Sequence, residues 1–111
     1  MVKVVKKPWG TFKQFVLNRK CTVKIIEIKP RQKLSLQKHK KRKETWYFLT
    51  PGIVQIGRKK KRIKKGEEIC IGKNVAHRLI AESKEVLVLE ISFGNFREDD
   101  EIRMEDKYNR K

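Results

Sequence analysis

A glutamine, two histidines and a glutamate in this sequence are residue types that bind divalent metals. Gln37, His39 and Glu44 lie close together in the chain, and His77 follows far downstream as the second of its 2 histidines. Imidazole, carboxylate and amide oxygen can ligate one ion together and leave positions open for water or a substrate oxygen. The pattern predicts a metal site, although unrelated surface histidines and glutamates would give the same composition.

The segments around these residues favour β-strands. Runs of β-branched, aromatic and alternating residues predict strands at 11–17, 21–28, 33–36, 44–49, 53–56, 61–64, 68–71 and 86–91. The last of these runs is the most apolar and is expected at the centre of a sheet. Short strands separated by Gly, Pro and Asn turns predict a closed or two-sheet antiparallel architecture. Residues 99–108 predict one short C-terminal helix, capped by Asp99 or Asp100.

Length and cysteine content narrow the class of protein. The 111 residues suffice for one domain, expected over 1–111, with a core large enough to fold alone. Cys21 and Cys70 are too few for a disulfide framework and are interpreted as reduced thiols. No apolar run is long enough for a signal peptide or a membrane span, so the sequence predicts a cytoplasmic protein without membrane contact.

The formal net charge of +17 admits three interpretations. The charge could neutralise the phosphates of a nucleic acid, or it could attract a small phosphorylated substrate. It could also reflect a lysine-rich surface of the kind found in thermophiles. The cations are spread along the chain, and no basic-aromatic stacking motif is present, so specific nucleic-acid binding is not expected. The basic run Arg58–Arg62 is expected at a hairpin tip.

The same residues resemble a known family, the cupins. The first cupin motif is matched by Arg31 in its glycine position, followed by Gln37, His39 and Glu44. The second motif is matched by Gly66, Gly72, Asn74 and His77. Within the cupins, three segments are similar to type II phosphomannose isomerases: residues 7–10, residues 34–39 and the tail from Glu98 to Arg110. The sequence departs from that branch at Lys40, Lys41, Thr45, Ser92 and Asn109.

This resemblance implies a fold, a cofactor and a reaction. The fold would be an all-β double-stranded β-helix, or jelly-roll barrel, with a short C-terminal helix. Two copies would form a homodimer through strand or sheet contacts. One divalent ion, whether Zn, Mn, Fe, Co or Ni, would bind Gln37, His39, Glu44 and His77. The reaction would interconvert the hexose phosphates mannose 6-phosphate and fructose 6-phosphate. Because the nucleotidyltransferase half of the fused enzymes is absent, no guanylyltransferase activity is expected.

Further residues are candidates for the chemistry. Alternation along 86–91 would turn Glu90 inward as a proton carrier, unless it faces solvent, and Arg78 or Lys33 would hold charge beside the site. Arg103 and Arg110 would bind the substrate phosphate, or else form ion pairs on a helix surface. Three alternative functions stay open: a non-catalytic sugar-phosphate sensor, a cupin enzyme of another substrate, and a basic β domain that associates with nucleic acid.

Overall fold

The computed structural model describes residues 2–94 and 101–105, and strands dominate this part of the chain. Within these ranges no helix is long and apolar enough to cross a lipid bilayer. The strands, in chain order, are β1 (Lys3–Lys7), β2 (Gly10–Gln14), β3 (Cys21–Ile28), β4 (Leu36–His39), β5 (Arg42–Phe48), β6 (Gly52–Ile56), β7 (Lys59–Ile63), β8 (Glu68–Ile71), β9 (His77–Ile80), β10 (Val86–Gly94) and β11 (Glu101–Glu105).

Two antiparallel sheets pack face to face around one core. The order is β3-β10-β5-β8 in the four-stranded sheet and β11-β4-β9-β6-β7 in the five-stranded sheet, while β1 and β2 form a separate hairpin. The core draws on both sheets, with Trp46, Phe48 and Val88 from the first and Val54 and Leu79 from the second. This arrangement confirms the predicted all-β jelly-roll architecture.

Strand β10 is central to the four-stranded sheet, as its apolar sequence predicts. It pairs with β3 on one side and β5 on the other. Val86, Val88 and Glu90 are 2%, 0% and 7% exposed, so one face of the strand is buried in the barrel. Side chains alternate between the faces of a strand, and the alternation that buries the valines also buries the Glu90 carboxyl.

The predicted C-terminal helix is wrong over the residues that the structure describes there. Residues 101–105 form strand β11, which pairs with β4 and places Arg103 opposite Gln37. The acidic and apolar residues of this short segment fit both the helical period of 3.6 and the strand period of 2. Pairing with β4 stabilises the strand conformation. The remainder of the predicted helix, at 99–100 and 106–108, lies outside the described residues.

Glycine 94 permits a close approach at the end of β10. It has a φ of +105°, and a Cβ atom there would lie 2.7 Å from the Lys41 carbonyl oxygen. Gly94 pairs with Arg42, the first residue of β5. The absence of a side chain therefore lets the start of β5 pack tightly against β10, two residues before Glu44.

Candidate metal centre

Three strands bring the predicted ligands together inside the barrel. Gln37 and His39 are alternate residues of β4, Glu44 belongs to β5, and His77 begins β9. Strands β4 and β9 are neighbours, with Gln37 directly opposite His77. The four side chains are buried, with exposures of 8%, 3%, 2% and 1% in chain order. The local cause is strand alternation, which turns Gln37 and His39 to the same face.

One carboxylate oxygen of Glu44 lies between the two imidazoles. Its Oε1 atom is 3.0 Å from His39 Nε2 and 3.1 Å from His77 Nε2. The ring centroids of the two histidines are 5.1 Å apart. Among the described residues, these three form a group whose ligand atoms lie within 4.8 Å of one another. Two ligands on one ion at roughly 2.1 Å and a right angle lie about 3 Å apart, which matches these spacings.

Hydrogen bonds define which atoms carry the lone pairs. His77 Nδ1 lies 2.7 Å from the Val75 carbonyl oxygen, which can only accept, so Nδ1 donates. A neutral His77 therefore turns the lone pair of Nε2 towards Glu44. On the other side, Arg42 Nη2 donates to His39 Nε2 over 3.2 Å. The lone pairs of His39 Nε2, His77 Nε2 and Glu44 Oε1 therefore converge on one point. Because lone pairs repel one another, a proton or a metal ion must lie between these atoms. The donor set therefore fits a divalent metal.

Glu44 and Glu90 form a pair of buried carboxyls with opposite tendencies. Burial alone would raise the pKa of Glu44, but the adjacent imidazoles of His39 and His77 outweigh burial and hold that pKa well below its usual range. Burial also raises the pKa of Glu90, to about 8, with further contributions from its hydrogen bond to Glu44 and the charge of Glu44. Trp46 Nε1 donates to Glu90 Oε2 over 3.1 Å. Without metal, the site holds one ionised and one protonated carboxyl near neutral pH.

This pKa shift predicts a pH-dependent stability difference in the metal-free protein. Because folding raises the pKa of Glu90 from 4.5 to about 8, its contribution to the free energy of unfolding falls as the pH rises through that window. The Glu90→Gln variant lacks the titration and keeps an acceptor for Trp46. Its stability relative to wild type should therefore rise between pH 5 and 8 by a few kcal/mol.

Urea unfolding in the presence of chelator, repeated across this pH range, measures the difference. Glu27→Gln is the matched control, because Glu27 is an exposed carboxylate on β3. Its stability should run parallel to that of wild type. A parallel curve for Glu90→Gln as well would contradict the raised pKa.

The other candidates are placed differently with respect to these ligands. Arg103 lies opposite Gln37 and so borders the ligand group. Lys33 bridges to Ile80, three residues along β9 from His77 and therefore about 10 Å away. Arg78 is 2% exposed and follows His77 directly, so alternation places it on the opposite face of β9. Arg110 lies outside the described residues.

Sequence reasoning missed three residues that line the site. Arg42 is buried and contacts His39. Lys24 pairs with Glu90 across β3 and β10, and its positive charge lowers the pKa of Glu90, which burial raises. Ser92 is 1% exposed and lies opposite Glu44, and its Oγ has no hydrogen-bond partner among the described residues. Extending the alternation of 42, 44 and 46 in β5, or of 88, 90 and 92 in β10, would have found Arg42 and Ser92.

The sequence matches, over residues 1–106, the family described as mannose-6-phosphate isomerase C-terminal. The chain belongs to this family. Among curated relatives, it is 33% identical over 110 residues to the xanthan biosynthesis protein XanB of Xanthomonas campestris pv. campestris. It is also 33% identical over 113 residues to the mannose-1-phosphate guanylyltransferase ManC of Salmonella typhimurium. These matches cover 96% and 99% of this chain but only 23% and 24% of the relatives.

Solved structures support the fold of this isomerase-family domain. The capsular polysaccharide assembling protein CapF of Staphylococcus aureus superposes with a TM-score of 0.69 over 95% of this chain and 34% of CapF, at 14% identity. Salicylate 1,2-dioxygenase of Pseudaminobacter salicylatoxidans superposes with a TM-score of 0.61 over 65% of this chain and 20% of the dioxygenase, at 12% identity. At these identities the likeness concerns the fold alone, and the fold is that of a cupin.

Proposed function

We propose that this domain is a metal-dependent isomerase that interconverts mannose 6-phosphate and fructose 6-phosphate. The observation that carries the proposal is the convergence of His39 Nε2, His77 Nε2 and Glu44 Oε1, with the buried Glu90 carboxyl on the neighbouring strand β10. Membership of the mannose-6-phosphate isomerase family supports the choice of substrate.

His39, Glu44 and His77 would hold a divalent ion, and Gln37 opposite His77 would complete the set. The ion, when bound, would polarise the sugar carbonyl and stabilise negative charge on its oxygen. Mixed imidazole, carboxylate and amide ligands suit Zn, Mn, Fe, Co and Ni alike.

Glu90 is the proton carrier in this proposal. Isomerisation moves a proton between C2 and C1 of the open-chain sugar through an enediol. Glu90 would take the proton from C2 and return it to C1, while the hydroxyl proton of O2 passes to O1, so that the C1 aldehyde becomes an alcohol and C2 becomes the ketone. A carboxyl with a pKa near the working pH suits the carbon-to-carbon transfer. Trp46 Nε1 orients the carboxyl through its bond to Oε2. The pair Trp46 and Glu90 therefore fixes where the proton is exchanged.

Cations at the site support binding of a phosphorylated sugar. Arg103 borders the ligand group from β11, and its guanidinium can bind a phosphate through two parallel hydrogen bonds. Lys24 faces Glu90 from β3. Arg78 and Lys33 have no role in the proposed mechanism. Arg78 lies on the face of β9 opposite to that of His77, and Lys33 pairs with Ile80 at the far end of β9.

Turnover of mannose 6-phosphate by purified, metal-loaded protein tests the proposal. Fructose 6-phosphate should form, solvent deuterium should enter the product at the exchanged carbon, and chelator should stop the reaction. If metal-loaded protein binds hexose phosphate without converting it, the sensor function replaces the isomerase. If it converts a different sugar phosphate, the enzyme class stands and the substrate changes.

A further inference from the structure

Arg42 is a buried cation in contact with two of the proposed metal ligands. Its side chain is 4% exposed and lies on the same face of β5 as Glu44. Its Nη2 atom donates to His39 Nε2 over 3.2 Å, and its Nε atom is 4.0 Å from Glu44 Oε2. The guanidinium therefore lies beside the point where the ligand atoms converge.

The bond from Arg42 uses the lone pair that a metal would need. An imidazole nitrogen has one lone pair in the ring plane, and a guanidinium in a protein stays protonated. His39 Nε2 therefore either accepts from Arg42 or ligates a metal, but does not do both. Repulsion between the ion and the guanidinium acts in the same direction. Loading the site must consequently release at least this hydrogen bond of Arg42.

We propose that Arg42 is a metal-released binding site for the phosphate group of the substrate. A guanidinium displaced from His39 keeps its positive charge, and the N–H group that it released from His39 Nε2 can donate to a phosphate oxygen. Metal binding and phosphate binding are then positively coupled, and phosphate tightens metal binding by the same factor. This inference rests on the proposed metal site, but it concerns binding and is independent of turnover.

Calorimetric titration measures the coupling with Mn²⁺ as the metal and with inorganic phosphate and mannose 6-phosphate as the anions. Wild type should bind both anions about tenfold or more tightly when loaded, and mannose should show no such gain. R42Q should bind Mn²⁺ several-fold more tightly than wild type in the absence of anion, and should lose most of the coupling. R62Q is the matched control, because Arg62 is exposed and paired with Glu82 at 2.7 Å.

Several outcomes separate this inference from the proposed function. Unchanged coupling in R42Q would show that the charge of the ion alone attracts the anion, and the inference would be wrong. Absence of Mn²⁺ binding in wild type would overturn the proposed metal site itself. If R42Q does not fold, R42K replaces it, since lysine keeps the charge without the planar fork. R42K should then retain less than half of the coupling free energy.

Discussion

Replacing His77 with alanine is expected to lower the affinity for divalent metal by about a hundredfold or more and to remove detectable isomerisation. Loss of a ligand costs at least as much as loss of a residue that only supports one, for which 10- to 100-fold effects are typical. His77 is 1% exposed, and its Nε2 lies 3.1 Å from Glu44 Oε1. Equilibrium dialysis against a metal buffer measures the affinity directly.

The barrel itself should survive this substitution. The far-ultraviolet spectrum should stay that of a β protein, because the core of Trp46, Phe48, Val54, Leu79 and Val88 is untouched. Gln55→Ala is a suitable control, since Gln55 lies on the neighbouring strand β6 and pairs with Arg78. If His77→Ala unfolds the protein even without metal, His77 has a structural role. If it folds and binds metal normally, His77 is not a ligand.

The second large effect is expected for Glu90→Gln, which should lower kcat by about a hundredfold or more while metal affinity changes little. Glutamine keeps the size of the side chain and an acceptor for Trp46, but it cannot take a proton from the substrate. Exchange of the migrating hydrogen with solvent should be lost in parallel. Steady-state kinetics with mannose 6-phosphate and deuterium incorporation provide the two measurements.

Glu27→Gln again serves as the control, because it removes an exposed carboxylate from β3. It should leave kcat and solvent exchange unchanged. A normal kcat for Glu90→Gln would remove Glu90 from the proton transfer. A loss of metal together with kcat would instead indicate that Glu90 acts by supporting Glu44.

The convergence of the candidate ligands could be anticipated because their chemistry is local in the sequence. Gln37, His39 and Glu44 flank two strand signals, and a two-residue period is enough to turn Gln37 and His39 to one face. The same period along β10 placed Glu90 inside with Val86 and Val88. How closely the three strands bring these residues together depends on sheet order, which residue patterns alone do not specify.

The parts that the sequence did not predict depend on pairing between distant segments. Strand β11 exists because β4 offers it an edge, and acidic residues at its start imitate a helix N-terminus. Strand β9 includes His77 and Arg78, whose polar side chains hide the strand pattern although both are buried. Arg42 lies in a run of basic residues that composition assigns to solvent, whereas pairing with Gly94 turns it inward.

The two tryptophans have a practical consequence for spectroscopy. Trp46 is 0% exposed and contacts His77 edge to face at 5.2 Å, whereas Trp9 is 73% exposed at the turn of the hairpin. Their emission should separate into a blue-shifted component from the interior and a red-shifted component that aqueous quenchers reach. A single unmodified sample can therefore report on the imidazole environment and on the hairpin at the same time, without any attached label.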